Sequence, residues 1–215
     1  MFRNNFEHLV YIPINSVGLE GMLDIPAGAQ AIVVFAHGSG SSRHSPRNNF
    51  VAKVLRAEGL GTLLIDLLTE KEDVTYETRF DISLLAKRLE IITHWLKEQS
   101  QIKDLAIGYF GASTGAAAAL QAAASLGPII GAVVSRGGRP DLVIPILDRV
   151  QAPTLLIVGG CDDLVIELNQ KAYEYLRTEK QLVIIPGATH LFEEPGALEE
   201  VARLAAQWFK QHLLK

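Results

Sequence analysis

Ser113, Asp162 and His190 occur in that order, each just past an apolar run of the 215-residue sequence. A serine hydroxyl becomes a nucleophile when a base removes its proton, and that base needs an acid to fix its tautomer. Ser113 is the centre of Gly111-Ala112-Ser113-Thr114-Gly115, between an apolar run over 105–110 and an alanine-rich stretch to Ser125. A sharp strand–turn–helix with a strained serine at its apex needs glycine two positions to either side, because side chains there would block the close approach of the backbone. G-x-S-x-G is a weak signal alone. It gains weight from Asp162 in Gly159-Gly160-Cys161-Asp162 and His190 in Gly187-Ala188-Thr189-His190, in the Ser, acid, His order that this turn takes on an open parallel sheet. Asp163 is the alternative acid. The plainer roles are an N-cap for Ser113 and a loop position for His190.

Acyl transfer also needs two N–H donors for the developing oxyanion. Thr114, the residue after the nucleophile, offers one at a helix N-terminus, and Ser39 in His37-Gly38-Ser39-Gly40 offers the other. Both donate from the main chain. His37, Arg43, His44, Arg136 and Arg139 are substrate-binding candidates at the same edge, with Arg47 nearby. An arginine can clamp a carboxylate or phosphate through two parallel hydrogen bonds, but pairing within the loops is an equal expectation for any one of them. Together they point to a small, anionic substrate. His37 is also expected to anchor its loop, and Cys161 to be a small packed side chain. Gly38-x-Gly40 with Asp66 is a poor dinucleotide fingerprint: Arg43 replaces the third glycine and the acid comes too late.

The elements that must hold these residues alternate. Apolar runs predict strands over 8–14, 17–25, 31–36, 61–66, 105–110, 129–135, 154–158 and 182–185. Helical spacing predicts helices over 49–58, 80–95, 113–126, 142–150, 167–177 and 197–213. The first two strands form an antiparallel edge turned at Asn15-Ser16; the rest require crossovers and a mostly parallel sheet of about eight strands with helices on both faces. Strand carboxyl ends then share one edge, which gathers Ser113, Asp162 and His190. Pro46 is expected to delay the first helix. The polar stretch 67–78 is long enough to reach over the cleft, and no insertion after the sixth strand is large enough for a lid domain.

Composition narrows the class. With 48% hydrophobic and 20% charged residues and a net charge of -4, one α/β domain over 1–215 is expected. Scattered Lys and Arg argue against nucleic acid, and no apolar run nears the roughly 18 residues of a membrane span. A lone cysteine excludes a disulfide framework and fits a cytoplasmic location. No metal or other cofactor is expected, and the assembly is expected to be a monomer or homodimer.

HGSGSSRHSPRN, GYFGASTGAAAAL, SRGGRPDL and PGATHLFEEPG resemble the α/β-hydrolase superfamily, and within it the dienelactone hydrolase-like branch, including hydrolase-like proteins sometimes fused to phosphoribosyltransferase domains. The resemblance spans nearly the whole chain. It implies an α/β-hydrolase fold, Ser113 as nucleophile, Asp162 as acid, His190 as base, Ser39 and Thr114 as oxyanion donors, and a serine hydrolase acting on ester-like bonds. Dienelactone hydrolases proper carry a cysteine at the elbow, where this chain has Ser113.

Overall fold

The computed structural model describes residues 6–14 and 17–214. The opening residues 1–5 and the expected turn at Asn15-Ser16 lie outside the described residues.

The chain runs β1 (Phe6–Ile14), β2 (Val17–Ile25), β3 (Ala31–Ala36), α1 (Pro46–Ala57), β4 (Gly61–Ile65), α2 (Glu70–Asp73), α3 (Tyr76–Arg79), α4 (Ile82–Glu98), β5 (Ala106–Ala112), α5 (Thr114–Leu126), β6 (Ile130–Arg136), β7 (Thr154–Gly159), α6 (Asp163–Tyr175), β8 (Lys180–Ile185) and α7 (Ala197–Leu213). The eight strands among the described residues form one sheet in the order β1-β2-β4-β3-β5-β6-β7-β8. β1 and β2 pair antiparallel, as does β2 with β4; every pairing from β4 across to β8 is parallel.

Continuous apolar runs make the inner strands. All six residues of β3 and of β7 are buried, which only a sheet covered on both faces allows. One face packs α4, α5 and the stretch Pro140–Arg149 around Val34, Tyr109 and Val133; the other packs α1 and α7 around Phe35, Phe110 and Val134. Successive residues of a strand feed opposite cores. The alanines of α5, Ala116 to Ala119 among them, are fully buried and let the helix lie close on the sheet.

Several boundaries differ from the sequence reading. α1 starts at Pro46 rather than 49: Ser45 caps it by accepting the Asn48 N–H, and proline at the first helical position has no N–H to leave unpaired. α6 starts at Asp163 rather than 167. Where a short helix was expected over 142–150, residues Pro140–Arg149 are 3-10 in character and kinked at Val143, with Pro145 inside. The stretch 67–78 forms α2 and most of α3, one turn each. A capping box between Thr69 and Glu72 starts α2.

Candidate active site

The four segments that follow β3, β5, β7 and β8 meet at one edge of the sheet. Ser113 joins β5 to α5 with φ 51° and ψ −122°, one of two non-glycine residues at positive φ among those described. A non-glycine residue persists there only when its surroundings over-determine it. The surroundings are specific. A Cβ at Gly115 would collide with the carbonyls of Ala36 and His37, and one at Gly111 with the backbone of Ala116. The Ser113 N–H donates to the Arg136 carbonyl at 3.2 Å, and the Ser113 carbonyl accepts from the Arg139 N–H at 3.1 Å. Ser113 occupies the N-cap position of α5, yet its side chain makes no capping bond.

Asp162 likewise precedes a helix without capping it through its side chain. Its carboxylate turns to His190, whose Nδ1 lies 2.6 Å from Asp162 Oδ2. A carboxylate only accepts, so Nδ1 carries the hydrogen and Nε2 is left as the basic nitrogen. The two loops are locked together: Cys161 N–H donates to the Ala188 carbonyl at 2.9 Å, and Gly160 N–H to that of Ile185 at 2.8 Å. Any side chain at Gly159 would strike the carbonyls of Ala188 and Thr189. Thr189 is held by Glu194, which accepts its N–H at 3.0 Å and its hydroxyl at 2.7 Å; those bonds hold the Glu194 carboxyl below its usual range.

Gly137 completes the nest. At φ 50°, it stands beside the His190 ring, where an added Cβ would come within 3.4 Å of Nδ1 and Cε1. The β6 end thus touches Ser113 through Arg136 and His190 through Gly137. The SRGG motif held this position in view, but nothing in its spacing showed that Gly137 would face the histidine.

The loop after β3 runs alongside the serine: a Cβ at Gly38 would lie 3.1 Å from Ser113 Cβ. Ser39 N–H donates to Thr114 Oγ1 at 2.9 Å, a side-chain contact that the sequence did not signal. His37 is buried, its Nδ1–H donating to the Gly38 carbonyl and its Nε2 accepting the Leu67 N–H, both at 3.0 Å. Burial pushes its pKa below the ordinary value. The ring anchors the loop from beneath.

The remaining candidates separate by partner. Arg43 is spent on two carboxylates, pairing with Asp66 and with Glu20 at 2.5 Å, and so ties the loop to β2 and β4. Arg139 pairs in a fork with Asp141, both bonds 2.8 Å. His44 is exposed, and its N–H donates to Ser42 Oγ. Arg136 is buried, and no carboxylate pairs with it among the described residues. Cys161, expected to be packed, is exposed because it sits at the tip of the acid-bearing turn. Beside the oxyanion loop lies a cavity of about 660 Å³, bounded by His37, Ser41, Arg43, Asp66, Leu68 and Asp73. None of Ser113, Asp162 and His190 lines it. Among the described residues no cluster of three His, Cys, Asp or Glu side chains could hold a metal ion, and no helix is long and apolar enough to cross a membrane.

This sheet order, with a strained serine after β5, an acid after β7 and a histidine after β8, defines an α/β-hydrolase. The chain belongs to the dienelactone hydrolase family, whose pattern it matches over residues 19–213. It is similar to a crystal structure of a dienelactone hydrolase from Anabaena variabilis, with a TM-score of 0.95 and 56% identity over 98% of this chain and 100% of that one. Est1E from Butyrivibrio proteoclasticus shares the fold at a TM-score of 0.83 and 18% identity, covering 96% of this chain and 99% of the other. A Mycobacterium tuberculosis protein that carries the provisional name of a phosphoribosyl transferase is 56% identical over 95% of this chain. The match covers 46% of that relative, so the chain spans about half the length of the curated relatives it matches most fully.

Proposed function

We propose that the chain is a serine hydrolase that cleaves an ester-like bond of a small substrate through an acyl-enzyme. The observation that carries this reading is the 2.6 Å bond between His190 Nδ1 and Asp162, which leaves Nε2 basic in a nest shared with the strained Ser113. His190 Nε2 takes the Ser113 proton as Oγ attacks the carbonyl. The N–H groups of Thr114 and Ser39 hold the oxyanion, and His190 returns the proton to the leaving group. Water, activated by the same ring, then attacks the acyl-serine and releases the acid. The helix dipole of α5 adds positive potential at Thr114 N–H. Asp162, rather than Asp163, is the acid in this reading. A single exposed cysteine fits a reducing cytoplasm, where we place the protein, as a monomer or homodimer.

The test is covalent labelling. A fluorophosphonate probe and a panel of 4-nitrophenyl esters are expected to be processed by the wild type and ignored by Ser113→Ala with its fold intact. Equal labelling of the two proteins rules the reading out.

A second reading has one observation behind it. Ser39 N–H is already bonded to Thr114 Oγ1, so one oxyanion donor is engaged at rest. A ligand-binding protein with slow turnover on the same fold fits that bond. Tight ligand binding with negligible ester release would favour it, and preferential turnover of amides or thioesters would redirect the first reading within acyl transfer.

A further inference from the structure

α6 buries Val165, Asn169 and Ala172 along one stripe, and the middle residue is polar. That spacing is the core-facing pattern of a helix, where an aliphatic side chain would leave no polar atom to satisfy. Asn169 is 0% exposed. Its Nδ2 donates to the Val165 carbonyl at 2.8 Å and to the Gly138 carbonyl at 2.9 Å, while its Oδ1 is buried with no hydrogen-bond partner among the described residues. Both groups facing the amide nitrogen only accept, so the nitrogen must point there and the oxygen is the atom left over. A buried acceptor without a donor costs stability, so packing alone does not account for an asparagine at this place. The bond to Val165 stays within α6. The bond to Gly138 is the one that ties the helix to another part of the fold.

Gly138 is the middle of a bracket that reaches the site on both sides. Gly137, whose N–H donates to the Ile157 carbonyl at 2.8 Å, stands against the His190 ring. The Arg139 N–H donates to the Ser113 carbonyl. Gly138 itself has no spare room: a Cβ there would lie 1.9 Å from Ser135 Oγ and 2.7 Å from Ala116 Cβ. α6 in turn begins at the acid, with the Ile166 N–H donating to the Asp162 carbonyl at 2.9 Å. The Asn169–Gly138 bond therefore crosses the same gap as the Asp162–His190 bond, one from the second turn of α6 and the other from its start. Two cross-links in parallel hold the histidine side of the site to the acid side.

We infer that Asn169 is a positioning residue for the reaction: by holding the Gly138 carbonyl it fixes the backbone against which the His190 ring rests, and so keeps Nδ1 on Asp162 and the ring in register with Ser113. The effect on rate rests on the serine hydrolase reading; the hold on the ring does not. Asn169 is fully buried and acts only through the bracket, so its loss falls on kcat and not on substrate binding. A reacting group displaced by about 1 Å can cost about 100-fold in rate.

The test uses 4-nitrophenyl butyrate with wild type, Asn169→Leu, Asn169→Ser and Ala172→Gly. Asn169→Leu removes the donor and the orphaned oxygen together. In Asn169→Ser the shorter hydroxyl turns back to its own helix and leaves the Gly138 carbonyl unpaired. Ala172→Gly weakens the same buried stripe without touching the bracket and should lower Tm by roughly 2–4 °C. Both Asn169 variants are expected to lose about tenfold to 100-fold in kcat with KM within about twofold of wild type, while Ala172→Gly keeps kcat within about twofold. Unchanged kcat in the Asn169 variants overturns the inference, as does a loss carried by KM alone or an equal loss of kcat in Ala172→Gly; if Asn169→Leu fails to fold, Asn169→Ser decides. If the wild type neither cleaves ester nor binds fluorophosphonate, the hydrolase reading has failed alone, and the ring itself is measured. The imidazole ¹⁵N shifts of His190, assigned by comparison with His190→Gln at pH 8, report which nitrogen carries the hydrogen. A move in the Asn169 variants from a protonated Nδ1 toward a mixture of tautomers, absent from Ala172→Gly, upholds the positioning role, and unmoved shifts remove it.

Discussion

The Ser39 N–H and the Thr114 hydroxyl oxygen meet at 2.9 Å across 75 positions of sequence, joining the loop after β3 to the first residue of α5. The proposed reaction needs that same Ser39 N–H, together with the main-chain N–H of Thr114. The bond sets the spacing between them, and Thr114 is buried, so its rotamer is fixed by packing. Thr114→Val keeps the shape and removes the acceptor. Ester kcat is expected to fall about fivefold to tenfold, the worth of roughly 1 kcal/mol for one hydrogen bond, with KM changed less. Thr114→Ser keeps the acceptor and should restore most of the rate. A faster Thr114→Val enzyme would mean that the hydroxyl competes for the donor instead of placing it.

Asp162 and Asp163 are adjacent acids with different surroundings. Asp162 gives its carboxylate to His190, while Asp163 is exposed in the first turn of α6. Asp162→Asn would let the side-chain amide donate to Nδ1 and favour the wrong tautomer; losses of about 10⁴ in kcat are known for this exchange in a triad of the same logic. Asp163→Asn should cost less than about threefold, since it alters only a helix-dipole charge at the surface. Steady-state kinetics on one ester would separate them, and equal losses would count against Asp162 as the orienting acid.

What could be read in advance was whatever depends on local chain chemistry. The elbow glycines announced themselves because Gly111 and Gly115 face backbone within a few residues or on the neighbouring strand, and the mostly parallel sheet of eight strands, though not their order in it, followed from the alternation of apolar runs. The ends of elements were less legible. Pro46 acts as a starter and not an obstacle, because position in the first turn decides what proline does. Pairings across the fold were not legible at all. Arg43 meets Glu20 and Asp66, each 23 residues away, and nothing in either interval marks them as partners. Arg136 and Arg139 look alike in SRGGRPDL, yet one finds Asp141 two residues on and the other is turned under Phe192.

His37 provides a pH signature. Its Nδ1–H serves the Gly38 carbonyl and its Nε2 accepts from Leu67 N–H, so a second proton would set two donors against each other as well as charging a buried ring. Burial accordingly holds its folded pKa below 6.5. The unfolded chain takes up a proton near that pH and the folded protein does not, so this contribution is full above about pH 6.5 and is lost as pH falls, by up to about 1.4 kcal/mol per unit. Urea midpoints measured at pH 7.5 and 5.5 should show the loss, and His37→Gln should be less stable at pH 7.5 but flatter between the two. An equally steep His37→Gln profile would assign the effect to other groups.

Arg88 does for the 67–80 stretch what His37 does for the oxyanion loop. Its guanidinium, 4% exposed, reaches from α4 to the Leu67 carbonyl at 2.5 Å and to both oxygens of Glu72, the residue that also closes the α2 capping box. Hydrogen bonding to Arg88 holds the Glu72 carboxyl down to about 2, so its share of stability is present above about pH 4.5 and fades as pH drops from there toward 2. Arg88→Met should cost about 2 kcal/mol at neutral pH, less than a wholly buried pair, since Glu72 retains solvent contact. That corresponds to a Tm lowered by roughly 4–8 °C for a domain of this size. The loss should also be local: α2 carries Asp73 at the wall of the cavity beside the oxyanion loop, and backbone amides of 69–80 should exchange faster than those of β5 or α5. A uniform change in exchange across the sheet, with no excess in 69–80, would show that Arg88 supports the core and not this segment.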